Sequence, residues 1–294
     1  MKISIIGAGR LGGALAIALS KRGCEIENLA GRNLEKAERI AASVEPKPQI
    51  ILSGEFSLIS SDVIFITTQD SEIAAVARRL RETLAHQPVV FHTSGALSSD
   101  VLKNLKVIGC PTGSLHPLVS VSDPVVGAGK FAGAYFCVEG EAAAVKIGRA
   151  IVGKLGGNSF SIAAKFKTLY HASAVTACGH LVALIDAAIE MLTKCGLAEA
   201  EAQKILLPLI KSTVENLETQ STAESLTGTF ARADIPTFEK HLAALRENVS
   251  PEILEIYLQL GRRSLPLAEK QGANAANLEK IGDELLLAKK NLKC

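Results

Sequence analysis

The N-terminal stretch "MKISIIGAGRLGGALAIALSKRG" constrains this chain more than any other. A short apolar run leads into Gly7, Gly9 and Gly12, and an aliphatic helical pattern follows at once. A GxGxxG spacing alone is weak; here it follows a predicted strand, opens a predicted helix and lies in a βαβ unit. Gly7 then makes a tight turn, Gly9 lets a pyrophosphate approach the backbone, and Gly12 lets helix pack on strand. Arg10 and Leu11 stand within the loop, at a helix N-terminus that offers free N–H groups and a partial positive charge. A glycine-rich turn without a ligand is the competing reading.

About twenty residues further on, an acidic side chain would bind the ribose hydroxyls of NAD. This chain reads Gly31, Arg32, Asn33 there. No carboxylate repels a 2′-phosphate, and Arg32 offers a planar donor fork suited to one. The expected cofactor is therefore NADP, with Arg32 and Asn33 at its 2′-phosphate end. Asn33 also reads as a helix cap, and a solvated Arg32 is the alternative.

Up to residue 163 strands alternate with helices: "KISII", "EIENLA", "QIIL", "DVIFITT", "PVVFHTSG", "KVIGCPTGSLHP", "AYFCVEG" and "NSFSIA" read as strands. Helices of ten to fifteen residues between strands mean βαβ units and a mainly parallel sheet. From residue 164 the strand-like runs vanish and long aliphatic helical patterns follow. The expected fold is α/β: a doubly wound parallel sheet over 1–163, then an all-helical domain over 164–294. The core must be aliphatic, since apolar residues make up 48% and aromatics only 4%, with no Trp. The stretch "HASAVTACGHLVALIDAAIEML" carries His180, Asp186 and Glu190, which a bilayer would make costly. It reads as a helix buried in protein, and the chain as soluble and cytoplasmic, without a membrane partner. "MKISII" is too short for a secretory apolar segment.

Ligands of such sheets sit beyond the carboxyl ends of the strands. The loops there place Thr67, Thr68 and Gln69 near the cofactor ribose and nicotinamide, and Ser94 beside them. Asp70 reads as a helix N-cap. His116, held extended before Pro117, is a substrate-side candidate. Lys167 and His171 are four apart and share a helix face. Either can protonate a developing alkoxide or amine, with Lys165 as another donor. A basic first helical turn with a packed histidine is the competing reading. "LTGTFARAD" reads as a loop between helices, in which Arg232 grips an anion or Asp234 caps the next helix.

Other chemistries fail on inspection. A net charge of +2 leaves no broad basic surface for nucleic acid. No cluster has metal-ligand spacing, no GxSxG elbow is present, and no lysine follows the glycines as in a P-loop. The six cysteines (Cys24, Cys110, Cys137, Cys178, Cys195 and Cys294) form no CxxC pair and read as reduced, buried thiols.

"GxGxxG", "SLHPL", "YHASAV" and "LTGTFARAD" together carry a resemblance over nearly the whole chain. The chain resembles the Rossmann-type NADP oxidoreductase family with a helical C-terminal domain of unassigned function. That family is related to pyrroline-5-carboxylate reductase, ketopantoate reductase, the 3-hydroxyacid dehydrogenases and the deazaflavin-dependent NADP reductases. The resemblance implies an interdomain cofactor cleft, a small-molecule substrate and a homodimer formed through the helical domain. The expected activity is NADP-dependent hydride transfer to or from a small carbonyl or imine, with His171, Lys167 and His116 as catalytic candidates. Relatives carry Ser-Asn at Cys178–Gly179, Gly-Pro at Gly228–Thr229 and glycine at Ala233. The departures at Gly179 and Thr229 keep open a non-catalytic NADP sensor or scaffold; a further alternative is a deazaflavin-dependent NADP reductase, which needs little acid–base machinery.

Overall fold

The computed structural model describes residues 1–52 and 55–292; Cys294 lies outside them. The chain divides into two compact units, Met1–Cys178 and the part from Gly179 on.

In the first unit the elements run β1 (Lys2–Ile6), α1 (Arg10–Lys21), β2 (Glu25–Gly31), α2 (Leu34–Ala41), β3 (Gln49–Leu52), β4 (Val63–Ile66), α3 (Asp70–Thr83) and β5 (Val89–His92). Then come α4 (Lys103–Lys106), β6 (Thr112–Pro117), α5 (Pro124–Ala128), β7 (Tyr135–Gly140), α6 (Ala142–Leu155) and β8 (Asn158–Phe160). All eight strands form one sheet in the order β3-β2-β1-β4-β5-β6-β7-β8. Pairing is parallel except between β6 and β7, so the chain runs outward from β1 in both directions. β1 and β4 therefore meet at the point where the strand order reverses, which is where sheets of this kind hold ligands.

Side chains alternate across the sheet. Ile3, Ile5, Val63, Phe65 and Phe91 point to one face, where Leu15, Leu19 and Ile151 of α1 and α6 cover them. Ile6, Ile64, Ile66 and Val90 point to the other, under Ile73, Ala77 and Leu80 of α3. Both faces are buried, which is why the central strands read as continuous apolar runs. The sequence reading of a strand beginning at Lys106 is corrected at one end. Val107 caps α4 and is exposed, and the strand starts only at Thr112.

A long helix, α7 (Lys167–Lys194), belongs with its first turns to the first unit and with its remainder to the second. The second unit continues with α8 (Glu199–Thr219), α9 (Gly228–Ala231), α10 (Ile235–Asn248), α11 (Pro251–Lys270) and α12 (Ala275–Asn291). Phe238, Leu242, Leu258, Ile281 and Leu285 form its core. The "LTGTFARAD" stretch is not only loop, for α9 lies inside it. Asp234 caps α10, accepting from Thr237 N at 3.1 Å and Thr237 Oγ1 at 2.8 Å. Ala233 stands at a φ of +49°, a backbone region that favours glycine.

Two expectations are overturned here. The apolar helix is not buried in this chain. The segment Ala164–Lys194 has a window of mean hydropathy 1.6, of which 6% is buried, and by length and composition it is long and apolar enough to cross a membrane. Helical periodicity registers that a face is apolar but not what covers it. Nor are all the thiols buried, since Cys178 and Cys195 are exposed.

Candidate functional site

The glycine loop is built by close backbone contacts. Gly7 N donates to Ala30 O at 2.8 Å, and Gly9 N to Gly7 O at 2.7 Å. Gly7 has a φ of +120°, open to glycine. A Cβ on Gly12 would stand 2.1 Å from Gly7 O and 2.4 Å from Thr67 Oγ1. A Cβ on Gly9 would meet no protein atom within 4 Å. The loop thus needs Gly7 and Gly12 for its own packing, whereas Gly9 opens onto space at the N-terminus of α1.

Thr67 and Thr68 follow β4, next to that loop. The Thr67 hydroxyl donates to Gly7 O at 2.8 Å and braces the turn. The Thr68 hydroxyl oxygen is buried without a hydrogen-bond partner among the described residues. Gln69 is exposed and caps α3 by backbone conformation, without a side-chain bond. Asp70, expected as that cap, is instead the first residue of α3, and its carboxylate accepts from Ser94 Oγ at 2.7 Å.

Ser94 lies beyond β5. Its hydroxyl also accepts from Ala96 N at 3.2 Å and Leu97 N at 3.0 Å, so all its hydrogen-bonding capacity is used locally. His92, the last residue of β5, is fully buried. Its Nδ1 accepts from Ser94 N at 3.2 Å and its Nε2–H donates to Ser98 O at 3.1 Å. Both bonds fit one neutral tautomer. Burial, followed by nearby Lys167, pushes the His92 pKa down to about 4, against the upward pull of Ser98 O and Asp70.

Lys167 is also buried, with 1% exposure. Its ammonium donates to Ser114 Oγ at 2.9 Å and Ser94 O at 3.3 Å. Burial lowers its pKa, with Cys137, Glu139 and Asp70 pulling upward. The first turn of α7 is thereby tied to the loop after β5 and to the middle of β6. Lys165 is exposed and stands over the Phe166 ring.

These elements surround a cavity of about 480 Å³, lined by Arg10, Leu11, Thr67, Thr68, Asp70, Thr93, Ser94, Gly95, His116, Pro117, Val119, Val121 and His171. Of the residues expected from sequence, it brings together Arg10, Leu11, Thr67, Thr68, Ser94, His116 and His171. Gly7, Gly9 and Gly12 shape the loop beside it; Gln69, Arg32, Asn33 and Lys167 do not line it. Arg32 is exposed just after β2, and Asn33 caps α2, its Oδ1 accepting from Lys36 N at 2.9 Å. The rings of His116 and His171 stand edge to face, 5.8 Å between centroids. Both crowd Gly95, where a Cβ would lie 2.5 Å from His171 Cδ2 and 2.8 Å from His116 Nε2. His92 and Tyr170 were not singled out from sequence. The signal for His92 was its place at the end of an apolar strand run.

A second cavity of similar volume, about 480 Å³, is lined by Ser99, Lys103, Thr112, Glu139 and Glu141, among others. Its carboxylates are already partnered. Glu139 accepts from Ser99 N and Oγ, and Glu141 from Thr112 N with Lys106 alongside. The glycine loop marks the first cavity as the functional candidate.

Comparison with known proteins agrees with this geometry. Residues 2–95 match the family described as NADP oxidoreductase, coenzyme F420-dependent. Residues 134–264 match a family described as a domain of unknown function (DUF2520). The first match thus spans β1 to β5 with the glycine loop, and the second runs from β7 into α11. A curated relative, glycerol-3-phosphate dehydrogenase [NAD(P)+] of Desulfitobacterium hafniense, is 26% identical over 42% of this chain, which spans 38% of the relative's length. Among solved structures, a candidate NADP oxidoreductase of Bacteroides fragilis aligns over 90% of this chain and 98% of its own, with TM-score 0.72 and 22% identity. A protein of Thermotoga maritima aligns over 92% and 99%, with TM-score 0.70 and 23% identity. An NADP-bound pyrroline carboxylate reductase of Plasmodium falciparum aligns over 96% and 97%, with TM-score 0.58 and 16% identity. These structures share the fold.

Proposed function

We propose that the protein is an NADP-dependent oxidoreductase that moves hydride to or from a small carbonyl or imine compound. The observation that carries this reading is the convergence of Arg10, Leu11, Thr67 and Thr68 with the imidazoles of His116 and His171 in one cavity. Two features suit a dinucleotide there. Gly9 leaves open room at the α1 N-terminus, and the buried Thr68 hydroxyl lacks a partner among the described residues. Gly7, Gly9 and Gly12 with the first N–H groups of α1 would hold the pyrophosphate, and Arg32 with Asn33 the 2′-phosphate end. Thr67, Thr68, Gln69 and Ser94 border the rest.

Bound NADPH supplies the hydride. When hydride reaches the substrate carbon, the electron pair of the C=O or C=N bond moves to the oxygen or nitrogen. His116 faces that atom as a hydrogen-bond donor, and His171 delivers the proton that completes the alcohol or amine. Lys167, buried and bonded to Ser114 and Ser94, ties β6 to the loop after β5 that carries Ser94 and Gly95 of the cavity.

The test is consumption of NADPH with a panel of small carbonyl and imine compounds. Turnover with at least one, lost in His171→Ala while NADPH still binds, is the expected result. Tight NADPH binding with no turnover across the panel would favour a sensor. The F420-dependent family match over 2–95 favours a second reading, hydride exchange between NADPH and a deazaflavin. Bleaching of the deazaflavin chromophore on NADPH addition would select it.

We further propose that a second copy of this chain covers the apolar surface of α7 and α8, giving a homodimer rather than a membrane-bound protein. Val182 of α7 is 66% exposed and Leu209 of α8 64%. His180, Asp186 and Glu190 on the same helix suit a protein neighbour better than lipid.

A further inference from the structure

The two imidazoles of the cavity are not equivalent, and the difference comes from a residue behind them. His116 Nδ1 lies 2.7 Å from the Tyr170 hydroxyl. The two rings meet edge to face at 88°, and Phe160 closes another side of Tyr170 at 5.9 Å between centroids. Burial, and then Cys137, raise the Tyr170 pKa, so its hydrogen stays on oxygen. The groups facing His116 are Lys167 and His171 of α7 and His92 of β5. Burial first and then these three push its pKa down to about 4. At neutral pH the ring therefore carries one hydrogen, on one of its two nitrogens.

Which nitrogen follows from counting donors. Among the described residues, the hydrogen bond to His116 is the one the Tyr170 hydroxyl makes. With the hydrogen on Nδ1, the phenol would accept and its own hydrogen would be left without an acceptor in a half-buried place. With the hydrogen on Nε2, the phenol donates to Nδ1, and Nε2–H is free. That nitrogen is the His116 atom nearest the vacant side-chain position of Gly95, at 2.8 Å, with His171 Cδ2 beside it at 2.5 Å.

We propose that Tyr170 is a positioning residue whose hydroxyl donates to His116 Nδ1 and so fixes the tautomer that presents Nε2–H to a substrate oxygen or nitrogen. The substrate half of this statement rests on the oxidoreductase reading above; the tautomer half stands apart from it, on the Tyr170 contact and the burial of the ring. A neutral imidazole donor stabilises negative charge developing on that atom without having to lose its own proton.

The test uses full-length protein labelled with ¹⁵N-histidine. Long-range ¹H–¹⁵N correlation is recorded from pH 5 to 8, with His116 assigned by its absence in His116→Gln. His116 should show an unprotonated, hydrogen-bonded Nδ1 and a protonated Nε2 across the range. In Tyr170→Phe, which keeps the ring packing, that pattern should give way to a mixture of tautomers. With a substrate from the panel, kcat should fall by less than the roughly 100-fold that outright loss of a preorganised donor costs, because part of the His116 population keeps Nε2–H, with NADPH affinity unchanged. A protonated Nδ1 in the native protein, or an unaltered tautomer in Tyr170→Phe, would overturn the proposal. Absence of turnover with an intact Nε2–H tautomer would instead count against the oxidoreductase reading and leave Tyr170's role in place.

Discussion

A methyl group at Gly12 would stand 2.1 Å from the carbonyl oxygen of Gly7. Both are backbone-constrained, so neither can move away cheaply. Gly12→Ala should destabilise the protein by about 1–3 kcal/mol, the range for overpacking, and lower NADPH binding with it. Gly9→Ala meets nothing in the protein. It should leave the thermal midpoint near the native value while weakening NADPH. Equal losses of stability in the two variants, by denaturant unfolding, would contradict this division of roles.

Arg32 stands exposed after the last residue of β2, with no carboxylate in the Gly31–Asn33 tip. Its fork is expected to contact the 2′-phosphate as a charged hydrogen-bond donor, a contact of about 1.5–3 kcal/mol. Arg32→Ala should thus weaken NADPH about 10- to 100-fold and leave NADH nearly untouched. Equal weakening of both would remove Arg32 from the phosphate site.

His92 predicts a pH dependence of stability. Its pKa is 6.5 when exposed and about 4 in the fold, because burial disfavours the charged ring. Between those values the unfolded chain binds the extra proton, so stability rises with pH. The stability is fully present above about pH 6.5 and is lost as pH falls toward 4. The loss from this one ring amounts to about 3 kcal/mol, at 1.36 kcal/mol per pKa unit. His116, lowered to the same value, adds a contribution of the same sign. His92→Gln should flatten the profile between pH 4 and 6.5, measured by urea unfolding. An unchanged slope would show that His92 is not the titrating group.

If a second copy covers α7 and α8, the native protein should run at twice the monomer mass in light scattering without detergent. Val182→Asp with Leu209→Asp places charges on two of the most exposed apolar positions and should halve that mass. A native monomer, or partition into lipid vesicles, would contradict the dimer.

Much of the sheet was legible because its physics is local. The strand at Val63–Ile66 is buried on both faces, so it reads as an unbroken apolar run. The glycine spacing reports a turn whose contacts lie within a few residues. The start of β6 was less legible, since Val107 and Ile108 carry β-branched side chains while the backbone closes a helical turn. The site was legible in part. Thr67, Thr68 and His116 follow from strand ends, but His116 meets Tyr170 across 54 residues and Lys167 meets Ser114 across 53. No local periodicity encodes such pairings. Asp70 shows the same limit: it sits at a helix start, where a cap is expected, yet its partner is Ser94 from the next strand's loop. The exposure of α7 was hidden for a different reason, because an apolar face looks the same in sequence whether its own chain or another covers it.

The account rests on the glycine loop holding NADP. Calorimetric titration of the purified full-length protein with NADPH and with NADH tests this most directly. Saturable binding of NADPH, with NADH at least about tenfold weaker for want of the charged contact at Arg32, is the predicted result. Binding of neither would contradict the account at its base.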